Sequence, residues 1–477
     1  MKLFEPLDIN GMVLPNRVMV PAMVTHLCRE DGHVNDDILE RYTAYAEGEA
    51  GLIVVEAMAI HQNKSGTLLR ISDDRYVPGL RELTQRIHAT SDSKVVPQII
   101  HFMKVARSGW RQTIDTVSPE EIGQITDQFA AAVARAREAG FDGAELHSAH
   151  AYTLSSFLSR TNPRTDGFGG ETLEHRMRLI GEVMRRVRRA VGADFPVGIR
   201  FNAEEFIKNG YTVDESKLIA ERLAALGFDY LSLSAGGKFE DAVHTPGQVL
   251  FPYSGYSGDR CMPGAWFPRA LHAGLAAEIK AHLRARGFST PVAVAGKLSE
   301  PSDAERVVAE GSADVVGIAR GLLADPAWPR KVRTGAIDRI VQCDYCNVCK
   351  QLDGAHKPVI CALWPQGALQ APKPAPAQAP LLRPGAPVPT AKASDKGIAL
   401  RWTKVERALR YDVYRSVAGG PAALVESTKV TNWTDAVVLG GQHYEYFVRA
   451  VLPDGLASEA SPRVAVDLPL PDYMLVA

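Results

Sequence analysis

From residue 17 to about residue 335 the chain repeats one pattern eight times: a short apolar run, then an amphipathic stretch. The runs fall at 17–23 (RVMVPAM), 51–57 (GLIVVEA), 95–101 (VVPQIIH), 141–147 (FDGAELH), 196–201 (PVGIRF), 228–234 (FDYLSLS), 291–295 (PVAVA) and 313–318 (ADVVGI). Between them, stretches such as 126–139, 172–191, 214–226 and 301–310 carry apolar residues three and four apart, the spacing of one helix face. Strands alternating with helices point to a parallel α/β fold, and the length fits a closed (β/α)8 TIM barrel better than an open sheet. The pairs Ala139-Gly140, Leu226-Gly227 and Glu310-Gly311 sit where a helix has to stop before the next strand.

In a barrel of this kind the chemistry gathers at the strand tips. The stretch 141–152, FDGAELHSAHAY, reads as a buried strand opening into a loop with His147, His150 and Tyr152. A single histidine after a strand is ordinarily a hydrogen-bonded structural residue. Two imidazoles and a phenol within six residues make a compact donor set, able to hold a developing oxyanion and supply a proton beside it.

With 54 basic and 55 acidic side chains the net charge is −1, which gives no reason to expect nucleic acid or an anionic membrane as partner. A small-molecule ligand is expected. The N-terminus, MKLFEPLDINGMVLPNR, lacks the apolar run of a signal peptide, and no stretch reaches the apolar length of a membrane helix, so a cytoplasmic location is expected. Four of the six cysteines, Cys343, Cys346, Cys349 and Cys361, crowd into C-x2-C-x2-C-x11-C. Such spacing in a cytosolic chain points to a metal or cluster site before disulfides; one four-iron cluster and a four-cysteine structural zinc both fit it. Cys28 and Cys261 read as ordinary packed or loop thiols.

The expected domains are a barrel over 1–335, the cysteine segment over 336–364, a Pro/Ala-rich linker over 365–390 and a β-rich module over 391–477. Residues 235–268, with Phe251, Pro252, Tyr253, Tyr256, Trp266 and Phe267, are too long for a plain connection and read as a cap over the barrel mouth. Beyond the linker, IALRW, YDVYRS and HYEYFVRAV are strands of a small antiparallel, immunoglobulin-like sandwich. Its Trp402, Tyr411, Val413, Tyr444, Tyr446 and Val448 resemble the pattern of a fibronectin type III domain.

The barrel resembles the Old Yellow Enzyme family of FMN-dependent ene-reductases. The resemblance rests on the opening FEPLDINGMVLPNRVMVPAM, the His-Tyr segment, FLSRTNPRTDGFGGETLEHRMRL, and the closing VAGKLSEPSDAERVVAEGSADVVGIARGLLADP. The cysteine spacing is similar to its iron-sulfur branch, which includes trimethylamine dehydrogenase and bacterial dienoyl-CoA reductase, and implies a 4Fe-4S cluster. By the same resemblance Pro21, Ala22 and Met23 line FMN, Gln98 bonds its pyrimidine edge, and Arg200 lies by N1 and O2. Ala295, Gly296 and Lys297, with Ala319 and Arg320, hold its phosphate. Val24 stands where several relatives have a Thr or Cys that tunes the flavin, which leaves the part of Thr25 open. Met103 and Lys104 replace a Gly-Arg that relatives often show.

The resemblance implies hydride transfer from reduced FMN to a carbonyl-conjugated alkene, with His147 and His150 on the carbonyl oxygen. Tyr152 then protonates the α-carbon, since a phenol, with a pKa near ~10, keeps its proton at neutral pH. No G-x-G-x-x-G follows a strand after residue 361, so an internal FAD and NAD(P)H domain is not expected. Electrons would come from NAD(P)H at the flavin or, through the cluster, from a separate reductase, ferredoxin or flavoprotein. An enone or enoyl substrate and a homo-oligomer are expected. Two alternatives stand beside this: an amine dehydrogenase of the trimethylamine dehydrogenase type, with an aromatic cage from 251–267, and a non-catalytic electron-relay or binding protein.

Overall fold

The structure, a computed structural model, describes residues 1–61, 67–103, 112–236, 260–372, 385–394, 396–420, 422–452 and 457–469. The chain divides into two compact units, Met1–Pro372 and Lys373–Ala477.

The first unit opens with a hairpin of β1 (Leu7–Ile9) and β2 (Met12–Leu14), followed by eight parallel strands. These are β3 (Val18–Val20), β4 (Leu52–Ala59), β5 (Lys94–Ile100), β6 (Ala144–Ser148), β7 (Val197–Asn202), β8 (Tyr230–Ser234), β9 (Val292–Ala295) and β10 (Val315–Gly317). Each overlaps one of the eight apolar runs. They close into a barrel when β10 pairs with β3, Val316 opposite Val18. Helices Pro119–Glu138, Leu173–Val191, Val213–Ala225 and Pro301–Ala309 cover its outside with the apolar faces read from the sequence. Gly140, Gly227 and Gly311 follow three of them with φ of 80° to 85°, the left-handed conformation that ends a helix.

Successive strand residues face opposite sides of the sheet. Outward ones such as Leu146, Ile199 and Val294 join the main core with the helices. The inward residues at the barrel floor, Met19, Leu52, Val54, Val96, Tyr230, Ala293 and Val315, form a separate apolar cluster plugged by Ile9, Met12 and Leu14 of the hairpin. That plug was not legible as such in the sequence.

The second unit holds a three-stranded and a four-stranded antiparallel sheet: β11 (Pro389–Ser394), β12 (Gly397–Trp402) and β15 (Asn432–Asp435), and β13 (Arg410–Val417), β14 (Ala423–Thr428), β16 (His443–Val451) and β17 (Val464–Asp467). Trp402, Tyr411, Val413, Tyr444, Tyr446 and Val448 lie together in its core. No helix among the described residues is long and apolar enough to cross a membrane.

Candidate active site

Above the apolar floor the barrel interior turns polar. The strand register sets Gln98 beside Glu145 and His147 beside Arg200, all four buried and inward. The strand tips surround a cavity of about 500 Å³. Pro21, Ala22, Met23, Gln98, His147, His150, Tyr152, Arg200, Ala295, Gly296, Lys297, Ala319 and Arg320 all line it. Residues scattered over three hundred positions thus share one surface.

The backbone N–H of Ala149 donates to Nδ1 of His147 over 3.1 Å, which leaves the ring proton on Nε2. Burial, aided by the positive charge of Arg200, lowers the His147 pKa to about 3, so the ring is neutral. His150 and Ala151 adopt left-handed backbone, φ 59° and 61°, at a cost of roughly 1 kcal/mol or more each. That turn places the His150 ring edge-on to His147 at 5.1 Å, with Tyr152 on His147 at 5.2 Å. Burial holds His150 neutral as well. Its Nε2 lies 2.6 Å from Oγ of Ser234, which accepts a bond from Arg200 Nη2 at 3.3 Å. His150 is therefore tied into the wall, whereas no described residue takes the Nε2–H of His147. Cys261, expected to be an ordinary thiol, instead lines the cavity with Sγ 3.2 Å from Nε2 of His150.

Arg200 keeps two buried donors, Nε and Nη1, without a hydrogen-bond partner among the described residues. Lys297 donates to the carbonyls of Gly264 (3.2 Å), Ala265 (2.7 Å) and Phe267 (2.5 Å), and Arg320 to those of Pro263 (2.7 Å) and the Asn347 side chain (2.5 Å). Both cations sit against the Tyr345 ring, at 4.7 and 4.8 Å. Lys297 thus fastens the loop at 264–267, a tie its sequence position did not reveal. Gly296 has φ 135°, and a Cβ there would meet His272 at 2.7 Å, so only glycine lets the loop pass.

Val24 lines the cavity, but Thr25 turns away from it. The Thr25 N–H donates to Oε2 of Glu56 at 3.2 Å, and Tyr42 donates to the same oxygen at 3.3 Å. Glu56 is the residue at which the β4–β5 register slips, and it is fully buried. Burial raises its pKa from 4.5 to about 7 against the pull of the Thr25, His26 and Tyr42 contacts. The folded state then holds a proton that the unfolded chain releases between those values, so stability falls as pH rises from about 4.5 to about 7, by about 3 kcal/mol. Glu56→Gln is expected to lack this loss: urea unfolding at pH 5 and pH 8 should show a smaller drop for the variant, and equal drops would refute the assignment.

Cys349 and Cys361 pack with Leu323, Val359 and Trp364 in a small core against which Cys343 rests, while Cys346 is exposed. Cys349 also lines the cavity at the strand tips. Burial pushes the thiols of Cys349 and Cys361 up, to about 12 and about 11, and the neighbouring cysteines push the same way. Among the described residues no three His, Cys, Asp or Glu side chains gather around a single-ion site. Arg41 fastens the segment, donating to Val359 and Leu369 carbonyls at 3.1 and 2.6 Å and lying over Trp364.

Phe251, Pro252, Tyr253 and Tyr256 of the expected cap, and Lys104, lie outside the described residues. Of the rest of that segment, Phe267 is buried, Trp266 is exposed, and Met262 and Pro263 reach the cavity. Sequence reasoning passed over Glu145, Ser234 and Tyr345. For Glu145 a signal existed: an acidic residue two before His147 in a buried strand faces the same interior.

The profile of the NADH:flavin oxidoreductase / NADH oxidase family matches residues 2–120 and 103–253. The NADH oxidase of Thermoanaerobacter brockii is 35% identical over 367 residues, covering 72% of this chain and 53% of that protein. An NADPH dehydrogenase of Geobacillus sp. (strain WCH70) is 31% identical over 343 residues, covering 69% of this chain and 92% of that protein. A structure of 2-naphthoyl-CoA reductase with 2-naphthoyl-CoA superposes with a TM-score of 0.64 at 26% identity, over 76% of this chain and 56% of the other. The chain spans about half the length of the first and third of these. A barrel with this polar mouth, matched by the family profile over more than half of the chain's sequence, places the chain in the NADH:flavin oxidoreductase / NADH oxidase family, to which it belongs.

Proposed function

We propose that the barrel is an FMN-dependent ene-reductase acting on an alkene conjugated to a carbonyl, with Tyr152 as proton donor. Cys343, Cys346, Cys349 and Cys361 would hold a 4Fe-4S cluster, which would supply electrons where NAD(P)H does not. The observation that carries this reading is the His147–Tyr152 pair: a neutral imidazole with its proton on Nε2 and a phenol ring 5.2 Å away, both on one cavity.

The residues present fit the flavin. Arg200 offers two buried donors with no partner among the described residues, Gln98 an amide at the cavity wall, and the β9 and β10 loops small residues with Arg320 beside them. When bound and reduced, FMN supplies hydride. His147 donates its Nε2–H to the substrate carbonyl, where negative charge accumulates, and as a neutral donor it gives up no proton at rest. His150, held by Ser234, keeps the edge-on contact that orients His147. Tyr152 passes its hydroxyl proton to the α-carbon.

The cysteines fit a cluster by their donor chemistry: four thiols in mutual electrostatic range, raised by burial, need bound cations to persist as thiolates. The C-terminal unit we read as a fibronectin type III-like module without chemistry of its own.

The test is anaerobic stopped flow on the full-length chain, with flavin and iron quantified and NADH, NADPH or dithionite as separate reductants. Cyclohexenone or an enoyl thioester is expected to reoxidise the reduced protein. Failure of every conjugated alkene, together with reduction of the oxidised protein by an alkylamine, would replace this reading with the amine dehydrogenase.

A further inference from the structure

One carboxylate in the barrel interior takes no part in the chemistry above. Glu145 of β6 is fully buried and does not line the cavity. Its Oε1 accepts from Nε2 of Gln98 at 2.7 Å and its Oε2 from the Tyr230 hydroxyl at 3.2 Å. Both partners are donors, so both carboxyl oxygens act as acceptors; burial raises the Glu145 pKa, against the pull of Arg200 and of the Gln98 and Tyr230 bonds. Arg200 lies within electrostatic reach of it. Because both Glu145 oxygens accept here, they set how the Gln98 amide is turned: the NH2 end faces the carboxyl group, and the carbonyl oxygen is left for the cavity.

We infer that Glu145 is a positioning residue for the flavin, fixing Gln98 so that Oε1 meets a ring N–H while its own charge offsets that of Arg200. This rests on the flavin part of the proposed function and not on its alkene chemistry. Oxidised isoalloxazine carries a single ring N–H, at N3, and a carbonyl oxygen turned into the cavity selects for it. A fixed negative charge below the site opposes the negative charge that the flavin gains on reduction.

The test is Glu145→Gln, read by FMN titration into the full-length chain and by the midpoint potential of the bound flavin. A glutamine offers both donor and acceptor, so it no longer dictates the Gln98 rotamer, and Arg200 loses its counter-charge. FMN is expected to bind about tenfold more weakly, the scale of one misplaced buried hydrogen bond, and the potential is expected to become more positive. A carboxylate that merely supports the fold would leave the potential where it is. Unchanged affinity with an unchanged or more negative potential would overturn the inference. A second measurement needs no variant: 3-methyl-FMN, which lacks the N3–H, should bind the wild-type chain at least about tenfold more weakly than FMN, and equal binding would overturn the orientation assigned to Gln98. No alkene enters either readout, so each can fail while the ene-reductase reading stands, and the reverse.

Discussion

Tyr152→Phe is expected to slow alkene reduction by roughly 10²- to 10⁴-fold, the range that a positioned general acid contributes, while reduction of the flavin by a nicotinamide keeps its rate. The substitution removes one oxygen and keeps the ring that meets His147 edge-on at 5.2 Å. Packing around the turn at His150 and Ala151 should therefore survive, so a loss confined to the oxidative half-reaction reports the proton and not the fold. Stopped flow separates the two halves: the flavin is first bleached by reductant, then mixed with enone. Equal slowing of both halves would mean a displaced flavin, and no slowing of the second would remove Tyr152 from the role. His147 should add no titration to the profile near neutrality, because burial and Arg200 hold its pKa at about 3.

Cys349→Ala is expected to take the iron content from about four per chain to near zero. Cys349 is buried in the small core with Cys361 and Trp364 and is the one cysteine of the four that also lines the cavity. Loss of the cluster should loosen the segment that Arg41 fastens, seen as faster proteolysis within 336–364, whereas the barrel strands end well before it. Dithionite-reduced flavin should still be reoxidised by an enone in the variant, which separates electron supply from the chemistry at Tyr152. Four-cysteine zinc in place of iron in the wild-type protein would sink the cluster reading and leave the barrel reading untouched.

The barrel was legible because its signals are local. A strand buried on both faces must be apolar nearly throughout, and a helix that stops before such a strand needs a left-handed residue, hence Gly140, Gly227 and Gly311. The motifs at the strand tips were legible for a related reason: closing the barrel brings all tips to one mouth, so Gln98, His147, Arg200 and Arg320 had to converge whatever the details between them. The core of the second unit followed from alternation in the same way, as Tyr444, Tyr446 and Val448 share one face of β16.

What the chain could not disclose depends on register and on loops folding back. Glu145 bonds Gln98 across 47 residues only because β5 and β6 pair in one register, and a slip of one residue in either strand would turn that strand's side chain outward. Cys261 meets His150 across 111 residues, a pairing no periodicity encodes, and Thr25 meets Glu56, 31 residues away, instead of the cavity. The sequence by itself determined the barrel and its order of strands, because burial and helix termination act on neighbours. Only the tertiary structure decided which polar groups there bond one another and which donors stay free for a ligand, because those pairings depend on distances between segments that are remote along the chain.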